Sequence, residues 1–179
     1  MLVTMTTRTR LSLEEFLALP DIDERRLELL DGEVYEKVSP RWGHSRIALR
    51  IGAMFDAIGY AGVEPRAVIG ESANRAGSSV LPDVAFYRTN PPADDDWMRT
   101  PPDIAVEVLS RGQNRAVMRA KVDTYLAFGV HSVWVVDLER GLIEIYEGDE
   151  RHTLTGDDVV ETRWAPGFRA TVAELLAPR

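Results

Sequence analysis

The sequence predicts an α/β fold, one mixed β-sheet flanked by helices and preceded by an N-terminal helix and a β-hairpin. Three observations carry that expectation. Through the middle of the chain the apolar pattern switches between helical and strand periods in the order helix, three strands, helix, strand. The run Ile104-Ala105-Val106-Glu107-Val108-Leu109 is almost continuously apolar, as in strands covered on both faces. Finally, 179 residues of which 45% are hydrophobic and 28% charged are enough for a buried core with an ordinary polar surface.

Each element has its own signal. Ser12 and Glu15 form a capping box for the first helix, with Leu11 and Phe16 as its hydrophobic staple, and Pro20 ends it. Residues 26–38 read as a hairpin whose Asp31-Gly32 turn supplies positive φ, and Ser39-Pro40 breaks the second strand. Residues 44–58 place Ile47, Ile51, Met54, Phe55 and Ile58 at helical spacing, with Gly59 as the stop. Strands are expected over 63–71, 83–87 and 103–109. The first two are separated by a turn-rich loop, and the last two by a stretch with four prolines and three consecutive aspartates. Residues 114–128 form the next helix, with Met118, Val122, Tyr125 and Leu126 inward and Gly129 as its cap. Strands at 132–136 and 142–146 pair through a turn at Glu139-Arg140-Gly141, and a short helix follows Thr171. The length suggests a single domain, in which 1–40 is the helix and hairpin, 41–137 the core and 138–179 a C-terminal strand and tail.

Several chemistries are excluded. With no cysteine there is no disulfide, thiolate metal site or cysteine nucleophile. Neither a Gly-rich phosphate loop nor a G-x-S-x-G turn is present. His44, His131 and His152 lack zinc-ligand spacing. No apolar run approaches the ~20 residues of a membrane span, and residues 1–10 lack a secretory apolar stretch, so a cytoplasmic protein without a membrane partner is expected.

The net charge of −8 argues against a nucleic-acid partner until its distribution is considered. Nine acids and only two arginines fall between Asp137 and Glu161, leaving the rest nearly neutral. Two stretches carry bases and no acids: 37–55, with Lys37, Arg41, Arg46 and Arg50, and 110–122, with Arg111, Arg115, Arg119 and Lys121. Either both are solvated helix faces, or they line one anion-binding cleft.

Glu107 is the odd residue of its strand. It either points to solvent from an edge or is buried, and burial requires a paired charge or a metal. Asp83 follows Pro82 at the start of an apolar strand, an ordinary place for a polar residue. Lys121 lies one helical turn from Val117 and Tyr125, at the border of the buried face, where lysines usually reach back to water.

Taken together, these segments carry a resemblance. They are Pro82-Asp83-Val84-Ala85-Phe86, residues 102–110 (PDIAVEVLS), Lys121-x-x-x-Tyr125-x-x-x-Gly129-Val130 and Val133-Trp134-Val135-Val136-Asp137. Glu28-Leu29-Leu30-Asp31-Gly32-Glu33, Ser39-Pro40, His44 and Pro166-Gly167-Phe168 join them. The whole resembles the Uma2 family of endonucleases, which is similar in fold to the PD-(D/E)XK restriction-endonuclease superfamily. The resemblance runs from about Leu11 to Leu176.

It implies a restriction-endonuclease-like fold and a Mg²⁺- (or Mn²⁺-) dependent endonuclease acting on DNA, as a homodimer. Asp83 and Glu107 would be the metal carboxylates and Lys121 the catalytic lysine, with His44, Glu28 and Tyr125 in support. The superfamily's usual lysine, two residues after the glutamate, is replaced here by Leu109; in the Uma2 family it resembles one moved to the following helix. Arg111, Arg115 and Arg119, with Arg46 and Arg50 opposite, would contact DNA. Where relatives read Ser-Pro-Ser, this chain has Ser110-Arg111-Gly112. Trp134 and Trp164 are apolar candidates for either a dimer contact or the core. On this expectation Lys121→Ala leaves folding and metal affinity near wild type and lowers cleavage. The rival readings are a non-catalytic interaction module on the same fold and a hydrolase of another phosphoester.

Overall fold

The N-terminal helix α1 (Leu13–Leu17) starts where its capping box predicts. Ser12 Oγ accepts from the Glu15 N–H, and the Glu15 carboxylate accepts from the Ser12 N–H in return. The structure, a computed structural model, describes residues 10–37, 39–70, 76–91, 97–109 and 114–177. Strands β1 (Leu27–Leu30) and β2 (Glu33–Glu36) form the expected hairpin, with φ of 54° at Asp31 and 79° at Gly32. Helix α2 (Trp42–Asp56) buries His44, Ile47, Ala48, Ile51, Gly52 and Phe55.

The strand expected over 63–71 divides. β3 (Tyr60–Val63) ends at Glu64, whose φ of 51° turns the chain ahead of Pro65, and β4 (Ala67–Ile69) joins a different sheet. β5 (Ser78–Val80) pairs with both β4 and β1. β6 (Val84–Tyr87) and β7 (Ile104–Leu109) run antiparallel, and α3 (Arg115–Phe128) then carries the chain to β8 (Ser132–Asp137), parallel to β7. Asn114 caps α3 and Gly129, at φ 105°, ends it in the left-handed conformation. Gly59 is not a cap of that kind: a Cβ there would lie 2.6 Å from both Phe86 Cε2 and the Tyr87 carbonyl, so the position is glycine for want of space.

β9 (Leu142–Glu147) follows as expected. β10 (Glu150–Thr155), β11 (Val159–Val160) and β12 (Ala170–Thr171) lie beyond what the hydrophobic pattern predicts, and α4 (Val172–Leu176) opens on a second capping box. The strands form a six-stranded mixed sheet, in the order β10-β9-β8-β7-β6-β3, a four-stranded sheet, β2-β1-β5-β4, and the pair β11-β12. No helix among the described residues is long and apolar enough to cross a membrane.

Alternation along β7 sends its side chains to two cores. Ile104, Val106 and Val108 join Ile51, Phe55, Phe86, Trp134 and Phe168 beneath α2 and α4. Ala105 faces α3 with Met118, Val122, Tyr125, Val133 and Val135. Trp134 is therefore a core residue, ringed by Phe55 and Phe168, and offers no dimer surface. Trp164 stacks on His131 at 3.9 Å. Arg66, itself buried, ties the segment before β1 to the four-stranded sheet through Asp23 (2.6 Å), the Leu27 carbonyl (2.9 Å) and Ser79 Oγ (3.0 Å).

Candidate active site

Glu107 shares the α3-facing side of β7 with Ala105, and it is buried. Of the two readings left open by the sequence, burial with a paired charge is the one found. Tyr125 OH donates to Glu107 Oε1 at 2.7 Å, and Lys121 Nζ lies 2.6 Å from the same oxygen. Both come from α3, four residues apart, so one helical face supplies an ammonium and a phenol to one carboxylate. Lys121 Nζ also donates to Glu28 Oε1 at 2.8 Å, an oxygen that accepts the Leu81 N–H at 2.7 Å.

Asp83 stands immediately before β6, and its N–H donates to the Val106 carbonyl at 2.9 Å, holding it against β7. Its Oδ2 accepts from the Val108 N–H at 2.6 Å and lies 3.1 Å from His44 Nε2. Its Oδ1 accepts from Lys37 Nζ at 2.6 Å, and Lys37 also donates to the Leu81 carbonyl at 2.6 Å. The Asp83 carboxylate thus lies over the backbone next to Glu107. Asp83, Glu107, Lys121, Glu28, Tyr125 and His44, all singled out from the sequence, meet in one buried cluster with Lys37.

In the sequence Lys37 reads only as one base of the acid-free stretch 37–55, at the end of a hairpin strand, and not as a partner of Asp83. A signal was nonetheless present: of twenty-one basic residues nineteen are arginine, and the two lysines are Lys37 and Lys121. Arginine serves everywhere else, whereas a compact ammonium on a flexible stem stands at each of these two carboxylates.

The charges set the protonation. Burial alone would raise the Asp83 carboxyl, but the Lys37 ammonium and the His44 contact hold it well below the usual carboxylate range. Burial raises Glu107, and the neighbouring Asp83 and Glu28 charges act in the same direction against the pull of Lys121 and Lys37. Burial would discharge Lys121, but Glu107 and Glu28 more than offset it and keep the ammonium charged. Burial and the Glu107 charge raise the Tyr125 phenol, leaving it a neutral donor. Asp83 is thus held ionised, whereas Glu107 has its affinity for a proton raised.

The arginines divide. Arg115 begins α3 and bonds Asp137 at 2.5 Å at the end of β8, with much of its side chain exposed, and Arg119 is exposed one turn on. Arg46 is half-buried on α2. Arg50 is engaged elsewhere: its guanidinium donates to the Glu174, Leu175 and Ala177 carbonyls, satisfying the end of α4 away from the cluster. Arg111 lies outside the described residues.

Among the described residues no three His, Cys, Asp or Glu side chains converge as a ready-made metal cage. Two adjoining carboxylates are nevertheless a hard-oxygen donor set, suited to a cation such as Mg²⁺ that keeps several of its waters. The His44 Nδ1 is buried without a partner among the described residues.

A family model described as "Uma2: Putative restriction endonuclease" matches residues 13–173. Among solved structures, the chain is similar to one described as a "putative nuclease belonging to DUF820" from Anabaena variabilis. The two share 21% identity with a TM-score of 0.81, over 93% of this chain and 98% of that one. No curated protein matches.

Proposed function

This chain belongs to the family described as "Uma2: Putative restriction endonuclease", and from that premise we propose that it hydrolyses DNA phosphodiester bonds with Mg²⁺ or Mn²⁺ held by Asp83 and Glu107. The observation that supports the reading is the burial of these two carboxylates side by side, one strand apart, with a lysine on each. A carboxylate pair so placed is costly in a purely structural role, since burying it needs counter-charges.

The residues divide the work. Val108 N–H and His44 fix the Asp83 carboxylate in one orientation, and Tyr125 and Lys121 do the same for Glu107. Glu28 anchors Lys121, keeping its ammonium at the Glu107 edge, where positive charge offsets the charge that develops on an attacked phosphate. A bound divalent ion supplies Lewis-acid polarisation of the phosphate and a more acidic water. Arg115 and Arg119, exposed on α3, attract the phosphodiester backbone. A second copy of the chain covers the exposed Trp42 and Leu49 of α2 and Tyr60 and Val63 of the edge strand β3. Sedimentation that gives a monomer at every concentration would remove that part of the proposal.

Calorimetric titration with Mn²⁺ tests the metal site. Wild type binds one ion per chain and Asp83→Asn loses the binding while keeping a native circular-dichroism spectrum. Equal binding by the variant would sink the assignment.

A further inference from the structure

We propose that Lys37 is an internal placeholder for the divalent cation: its ammonium occupies Asp83 when the metal is away and swings towards Glu64 when the metal binds. The inference rests on the metal-site reading above and adds to it a residue that excludes the ion until the ion wins.

Asp83 accepts on both oxygens, and the donors differ in what it takes to move them. On Oδ2 the Val108 N–H belongs to a central strand and His44 to the buried face of α2, so neither is free to leave. On Oδ1 the donor is the tip of a four-carbon stem, and the Lys37 side chain is 8% exposed, close enough to water to re-solvate. A cation held by Asp83 would therefore displace Lys37 more easily than Val108 or His44. An alternative partner is already in place, because Glu64 Oε1 lies 3.8 Å from Lys37 Nζ on the half-exposed side, where it also pairs with Arg26. The Glu64 backbone, held at φ 51° with its N–H on the Asp83 carbonyl at 3.2 Å, keeps that carboxylate beside the site.

Charge argues the same way. A dication and an ammonium both on Asp83 would repel within a buried space, whereas an exchange of one for the other leaves the cluster balanced. Lys121 cannot play this part: it is 1% exposed and held by two carboxylates. Arginine would be a poor placeholder, since its planar fork binds a carboxylate through two parallel bonds and releases it less readily. The presence of lysine here, in a chain that otherwise uses arginine at every basic position but one, fits that demand.

Two measurements test this. In the first, wild-type protein is acylated with acetic anhydride, with and without saturating Mg²⁺, and the modified peptides are quantified by mass spectrometry. Having two lysines makes the readout clean. Lys37 labelling rises about tenfold with Mg²⁺, as expected for a group released from a bound state, while Lys121 stays protected in both. In the second, Mn²⁺ titration shows Lys37→Met binding at least about tenfold tighter than wild type, because a competing charge is gone. Glu64→Gln binds more weakly, having lost the alternative partner. Unchanged Lys37 labelling overturns the proposal, whatever Lys37→Met does and even if that variant does not fold. So does Mn²⁺ binding by a folded Lys37→Met that is no tighter than wild type. If wild type binds no Mn²⁺, or if Asp83→Asn binds as well as wild type, the metal site itself is wrong and this inference falls with it, a result distinct from tight, Asp83-dependent binding that ignores Lys37.

Discussion

Replacing Lys121 by methionine removes one ammonium and keeps most of the stem volume. In the wild type that ammonium lies 2.8 Å from Glu28 Oε1 and 2.6 Å from Glu107 Oε1, and all three side chains are buried. Taking away one partner of a buried ion pair leaves an uncompensated charge and costs about 3–5 kcal/mol. Here two carboxylates lose their counter-ion, so the upper half of that range applies when both are ionised. Glu107, already raised by burial, escapes part of the cost by taking a proton. A carboxyl raised in the folded state contributes stability that is present below its unfolded value of about 4.3 and is lost as pH rises through the folded value. The loss in Lys121→Met is therefore smaller near about pH 5 than near about pH 8, and Lys121→Met with Glu107→Gln regains much of it. Urea unfolding of wild type, Lys121→Met, Glu107→Gln and the double variant at both pH values reads these differences. A loss below about 1 kcal/mol at the higher pH, or no recovery in the double variant, would refute the reasoning. The sequence-based expectation that Lys121→Ala spares folding is corrected by this burial, so cleavage by Lys121 variants has to be measured well below their melting temperatures.

Other outcomes follow from the same geometry. Mn²⁺ affinity strengthens with rising pH, because the Glu107 carboxyl, raised by burial, must lose its proton to hold the ion; calorimetry showing an affinity independent of pH would contradict this. Arg115→Ala with Arg119→Ala lowers DNA affinity alike on unrelated sequences and flattens the log–log salt slope by about 1.8, two phosphate contacts' worth, whereas an unchanged slope makes these arginines a solvated face. Phe55 is buried against the rings of Phe86 (4.6 Å), Phe168 (4.8 Å) and Trp134 (5.3 Å), so Phe55→Ala costs about 3–5 kcal/mol in denaturant unfolding.

Legibility in the sequence followed the strength of the local physics. The Ser12–Glu15 capping box, the Asp31-Gly32 turn and the Gly129 stop depend on neighbours within a few residues, and each is found where its motif stands. The division of 63–71 was hidden because glutamate seldom adopts positive φ, and only the packing of two sheets imposes it at Glu64. β10 escaped notice because it is a mostly exposed edge strand with little apolar alternation to read. In the cluster, Asp83, Glu107 and Lys121 stand out by motif order, yet nothing local says that Lys37, forty-six residues before Asp83, ends on its carboxylate. Arg50 shows the converse: an acid-free stretch looked like an anion surface, but the end of α4 claims its guanidinium.

The most direct measurement is cleavage of supercoiled plasmid DNA by the purified wild-type chain in Mg²⁺, beside Glu107→Gln and an EDTA control. Glu107→Gln keeps the Tyr125 hydrogen bond within reach and removes the charge that would hold the cation, while Lys121 retains Glu28 as its partner. The account predicts nicked or linear product from wild type, none with EDTA, and a rate at least about a hundredfold lower for a folded Glu107→Gln. Cleavage by that variant at the wild-type rate, or cleavage that persists in EDTA, would contradict it.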